Sequence, residues 1–149
     1  PLESETYWGE CQELIVNSPN NVTMEYKGRL EAEKAKHIAK QYDCCFLPTL
    51  SENYGYTIEE ALCCGCPVLI SRGTTPWDDL HGVAGFAGSL NDEDSFVYEL
   101  EKIASMGDLE YKDYCSGIAK YLENKLSYDK LCMKYKELIY KVAQTRNKL

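Results

Sequence analysis

Apolar positions recur along this chain with two alternating periods, and each change of period marks a new element. Residues 5–16 set Tyr7, Trp8, Cys11, Leu14 and Ile15 at the spacing of one helix face, with an acidic face opposite. A polar turn, Asn17-Ser18-Pro19-Asn20-Asn21, follows. Residues 22–27 then alternate apolar and polar, which predicts a short strand closed by Gly28. Residues 30–42 return to helical spacing, with Ala32, Ala35, Ile38 and Ala39 facing inward and Glu31, Glu33, Lys34, Lys36 and His37 facing outward. Residues 43–48 are apolar on both faces, as a buried central parallel strand requires.

From Phe46 the pattern reads strand, loop, helix, strand. The apolar run stops at Pro48, and a polar loop with one glycine follows. A helix begins near Thr57 and ends at Gly65, and a second buried strand occupies residues 68–71. Residues 72–80 form the next loop, a short strand is expected around Gly85, Phe86 and Ala87, and Asp92 and Asp94 open a helix. The expected inward stripe of that helix is Phe96, Val97, Leu100, Ile103 and Ala104. Residues 109–126 bring Tyr111, Tyr114, Cys115, Ile118 and Leu122 onto one face. Ser127 then caps a last helix with Tyr128, Leu131, Cys132, Tyr135, Leu138, Ile139 and Val142 on one side and Lys130, Lys134, Lys136, Lys141 and Arg146 on the other. Alternating strands and helices predict an α/β fold, a Rossmann-like parallel sheet with helices on both faces, in one domain over residues 1–149.

Composition narrows the function without setting it. With 149 residues the chain can bury a core unaided, and a net charge of −8 argues against a nucleic-acid partner, whose phosphates need Lys and Arg. No apolar run reaches membrane-spanning length and no signal peptide is visible, so a cytoplasmic place is expected. The basic face of the last helix leaves open a peripheral association with an anionic membrane surface. The eight cysteines lie mostly in apolar runs, as small buried hydrophobes do in a reducing compartment. Cys63 and Cys66 have CxxC spacing without further ligands nearby, so no metal and no cofactor is expected.

The chemistry concentrates between the two buried strands. A loop leaving the carboxyl end of a parallel strand feeds a helix N-terminus, where unpaired N–H groups and the helix dipole favour a phosphate. Glu52 lies in that loop and Glu60 about a turn into the helix, and carboxylates accept well from sugar hydroxyls. Phosphate and hydroxyls together suggest a sugar nucleotide; the plainer alternative is a capping Glu52 and a solvated Glu60. In the neighbouring loop Trp77 either packs on a ligand ring or covers the end of the sheet. Arg29 either touches the ligand or is a solvated surface arginine.

Glu52, seven residues, then Glu60, with Gly55 between and Glu-Ala-Leu-Cys-Cys-Gly-Cys-Pro-Val-Leu-Ile-Ser after, resembles the signature of retaining GT-B glycosyltransferases, in particular glycosyltransferase family 4. Thr75-Pro76-Trp77-Asp78-Asp79-Leu80 is similar to a subset of that family that builds cell-surface polysaccharides. The resemblance implies the C-terminal, donor-binding half of a two-domain enzyme, transferring a hexose from a nucleoside diphosphate sugar to a polysaccharide or lipid-linked acceptor without a metal. It implies Glu52 at the reacting sugar, Glu60 on the ribose, and the backbone N–H groups of Gly55, Tyr56 and Thr57 on the diphosphate. It also implies an N-terminal acceptor domain and two opening strands that these residues do not show. In a 3-2-1-4-5-6 sheet their loss leaves residues 22–27 without a neighbour beside residues 43–48, so those two pair directly or another chain fills the gap by self-association. The chain is therefore expected to be a piece of a longer enzyme and to lack transferase activity alone. The rival readings are a non-catalytic, partner-recruiting nucleotide-sugar module and a sugar-nucleotide epimerase or hydrolase.

Overall fold

The computed structural model describes residues 4–31, 34 and 37–146, and the chain divides into two compact units, Pro1–Glu31 and Ala32–Leu149. In the first, α1 (Glu5–Val16) starts at Ser4, whose hydroxyl accepts a hydrogen bond from the Tyr7 N–H at 3.2 Å. The Trp8 and Tyr26 rings meet with centroids 4.6 Å apart, and Arg29 is exposed. Residues 22–27, expected as a strand, are irregular, with Val22, Met24 and Tyr26 exposed. A period of two supplies one apolar face but no hydrogen-bonding neighbour, and among the described residues no strand pairs with this segment.

The second unit is built on three parallel strands, β1 (Cys45–Leu47), β2 (Val68–Ser71) and β3 (Gly85–Gly88), in the order β1-β2-β3. Cys45 pairs with Val68, and Val68 with Gly85. Around them stand α2 (Tyr56–Cys63), α3 (Glu93–Ser105), α4 (Asp108–Lys125) and α5 (Tyr128–Arg146). Side chains alternate across β2. Val68 and Ile70 pack with Ile58 and Leu62 of α2 and Ile118 of α4, while Leu69 packs with Phe86, Phe96 and Ile103 on the other face. Helices thus cover both faces of a parallel α/β sheet, and full burial of each such side chain stabilises the fold by about 1.5–3 kcal/mol. Gly88 in β3 has the Phe96 ring where a Cβ would stand, so α3 approaches that face as closely as backbone permits.

Three other expectations need correction. β1 is an edge strand, not a central one: it pairs with β2 alone among the described residues, and Phe46 is 46% exposed. The apolar run was necessary for a central strand but could not supply the second neighbour. On α3 the buried stripe is Phe96, Glu99 and Ile103, while Val97, Leu100 and Ala104 are exposed, because a sheet of three short strands receives only a narrow face of the helix. The stripe on α5 is also uncovered, with Leu131, Tyr135, Leu138, Ile139 and Val142 all more than half exposed.

The helix expected over residues 30–42 falls partly outside the described residues, Ala32 and Ala35 included. Leu30 and Glu31 are irregular, Lys34, His37 and Ile38 are helical, and a 3-10 turn, Ala39–Gln41, ends the segment. The Ser127 hydroxyl accepts from the Lys130 N–H at the start of α5, as its position predicts. Among the described residues no helix is long and apolar enough to cross a membrane.

Candidate functional site

The loops that follow β1 and β2 leave the same end of the sheet and are tied together there. The Glu52 N–H donates to the Thr74 carbonyl at 2.8 Å. The second loop holds itself: the Thr74 hydroxyl donates to the Ser71 carbonyl, both Asp78 carboxylate oxygens accept from the Gly73 N–H at 2.9 and 3.0 Å, and Thr75 Oγ1 accepts from the Trp77 N–H. Trp77 is 1% exposed and belongs to the core beside Ile58 and Leu80, so it covers the end of the sheet. Its indole N–H donates to the Tyr54 carbonyl.

Tyr54 leads directly into the turn that opens α2. Gly55 stands at the helix N-cap with φ 81 and ψ 59, in the left-handed region. A Cβ there would also lie 2.9 Å from Ile58 Cδ1 and 3.4 Å from Trp77 Nε1, so conformation favours glycine and a side chain would displace the end of Ile58. The Gly55 carbonyl accepts from the Ile58 and Glu59 N–H groups, which closes the first turn. The N–H groups of Gly55, Tyr56 and Thr57 have no acceptor among the described residues. They form the positive end of the helix dipole without a side-chain cap.

The two carboxylates do not line the same hollow. Glu52 is half-buried in the loop, and among the described residues its side chain has no hydrogen-bond or ion-pair partner. Glu60, also half-buried, lines an open hollow of about 400 Å³ with His37, Lys40, Tyr56, Glu59 and Cys64, and Glu52 does not line it. His37 is exposed, as expected, yet it and Lys40 join this hollow. Their three-residue spacing on one helical segment was the available signal for that.

Beside Gly55, the Tyr54 ring lies 4.8 Å from Tyr56 and 5.7 Å, edge-on, from Trp77. A hydrogen bond to Glu59, then partial burial, pushes its hydroxyl up to about 12, so Tyr54 stays a donor across the working pH range. Lys125 of α4 braces Trp77: its ammonium lies 5.4 Å from the indole ring, 2.9 Å from the Pro76 carbonyl and 2.6 Å from Asp79 Oδ1. Burial works to raise the Asp79 carboxyl, but hydrogen bonds from Lys125 and Tyr121 outweigh it and hold the group below its ordinary range. These partners, 42 to 49 residues apart in the chain, left no local trace in the sequence.

None of the eight cysteines forms a disulfide. Burial, then neighbouring thiols, pushes Cys44 and Cys66 up to about 12, while Cys63 is exposed, so the CxxC pair divides between core and surface. Among the described residues no cluster of three or more His, Cys, Asp or Glu side chains could hold a metal.

No curated protein matches the chain. A family model described as Glycosyl transferases group 1 does match it over residues 9–137, a span that takes in the sheet, both tied loops and the opening turn of α2. The chain therefore belongs to the group 1 glycosyl transferases.

Proposed function

We propose that this chain is the donor-binding part of a retaining GT-B glycosyltransferase, which moves a hexose from a nucleoside diphosphate sugar to a polysaccharide or lipid-linked acceptor in the synthesis of a cell-surface glycan, without a metal ion. One observation carries most weight: among the described residues, three consecutive N–H groups, of Gly55, Tyr56 and Thr57, lack acceptors where a parallel strand's loop enters α2. Three donors on the positive end of a helix suit a diphosphate. Glu60 accepts from the ribose hydroxyls, and Glu52 meets the sugar or lies close to its reacting carbon.

When the bond between the anomeric carbon and the diphosphate oxygen breaks, negative charge grows on that oxygen. Fixed N–H dipoles then bind it more strongly than in the ground state, which is the differential that accelerates the step. The leaving group is already a stable anion, so holding donor and acceptor in line supplies much of the remainder, and no base of shifted pKa is needed. Such an enzyme works in the cytoplasm with an acceptor-holding domain, and the uncovered stripe of α5 is in keeping with a surface that meets it.

Calorimetry with UDP-, GDP- and ADP-sugars tests this. At least one should bind, and Glu60→Ala should weaken it by about 1.5–3 kcal/mol, the range for hydrogen bonds to a charged group. Unchanged affinity would remove Glu60 from the site, and no binding of any of them would refute the assignment.

A further inference from the structure

Trp77 lies in a different loop from the turn that opens α2 and is buried, yet its indole N–H reaches the Tyr54 carbonyl. That carbonyl belongs to the same peptide unit as the Gly55 N–H. In a trans peptide the two point in opposite directions, so whatever holds the carbonyl also aims the N–H. With the carbonyl turned to the indole, the Gly55 N–H points away from Trp77 and finds no acceptor among the described residues.

A glycine offers little resistance to rotation of this unit, because both signs of φ are open to it. Rotation by half a turn would present a carbonyl oxygen where an N–H now stands, turning an attractive group into a repulsive one toward an anion. We infer that Trp77 is a positioning residue: by holding the Tyr54 carbonyl it fixes the 54–55 peptide in the orientation that offers its N–H to a diphosphate. This rests on the donor-site reading above.

The surroundings fit that task. Trp77 is itself fixed, by the Thr75 hydroxyl that accepts from its backbone N–H, by Lys125 over its ring, and by core contacts with Ile58 and Leu80. The Tyr54 ring packs edge-on against the indole, and a Cβ on Gly55 would lie 3.4 Å from the indole nitrogen. A ring needed only for packing would not require its one donor to be spent on this carbonyl, although a buried indole does require some acceptor.

The test separates the N–H from the ring. In the whole chain, Trp77→Phe keeps an aromatic core residue and removes the donor. Replacement of Trp77 by benzothienylalanine, which has sulfur in place of N–H, keeps the size as well and serves if the phenylalanine variant fails to fold. Affinities for UDP, GDP and ADP and for the corresponding nucleosides are measured by calorimetry on each protein.

Loss of the donor should reduce the preference for the diphosphate over its nucleoside by about tenfold, with nucleoside affinity unchanged. The Gly55 amide resonance should move or broaden in the free protein. Parallel loss of both affinities in the benzothienylalanine protein would mean a structural role only and overturn the inference, as would an unchanged preference. A wild-type chain that binds none of the diphosphates would remove the donor site itself and this role with it.

Discussion

Gly55 shows how one missing side chain serves both fold and site. It takes a left-handed conformation at the N-cap of α2, leaves room for Ile58 and the Trp77 indole, and starts the run of three N–H groups without acceptors among the described residues. Gly55→Ala would pay twice, in backbone strain and in a contact of 2.9 Å with Ile58 Cδ1. The expected loss is about 1–3 kcal/mol of stability, read as a lower urea midpoint with an unchanged slope. An unchanged midpoint would show that neither constraint holds. The glycine was legible in the sequence as part of the loop, but its crowding was not, because Trp77 reaches it from another loop. Glu60 was legible by spacing; its hollow with His37 and Lys40 depends on a neighbouring segment whose distance no spacing encodes.

Elements whose period matched a buried environment on every side were the easiest to read. β2 is the clearest case: Val68, Leu69, Ile70 and Ser71 are all fully buried, and nothing about them depends on what lies beyond β1 or β3. The failures lie where a neighbour had to be supplied. Among the described residues, residues 22–27 alternate like a strand but pair with none, β1 has one partner instead of two, and α3 turns Glu99 inward while Leu100 faces out. The same contrast divides the helices energetically. Ile70→Ala opens a cavity in the core and should cost about 2–5 kcal/mol, whereas Ile139→Ala on α5 removes an exposed side chain and should stay within about 0.5 kcal/mol. Comparable losses in chemical denaturation of the two variants would mean that the α5 stripe is covered in solution.

The molecule as a whole joins an acidic composition to the proposed anion site. A net charge of −8 opposes binding of polyanions, yet a single diphosphate needs only oriented dipoles at close range, which a helix end provides without a basic surface. In the proposed reading that condition is met where the two tied loops and the indole meet the start of α2. Residue-resolved amide shifts recorded while the ¹⁵N-labelled chain is titrated with UDP, GDP and ADP examine it most directly. The Gly55, Tyr56 and Thr57 resonances should move together, in proportion to occupancy, for at least one of the three. Shifts confined to the lysine-lined hollow beside Lys130 and Lys134, with those three amides still, would contradict the donor-site assignment.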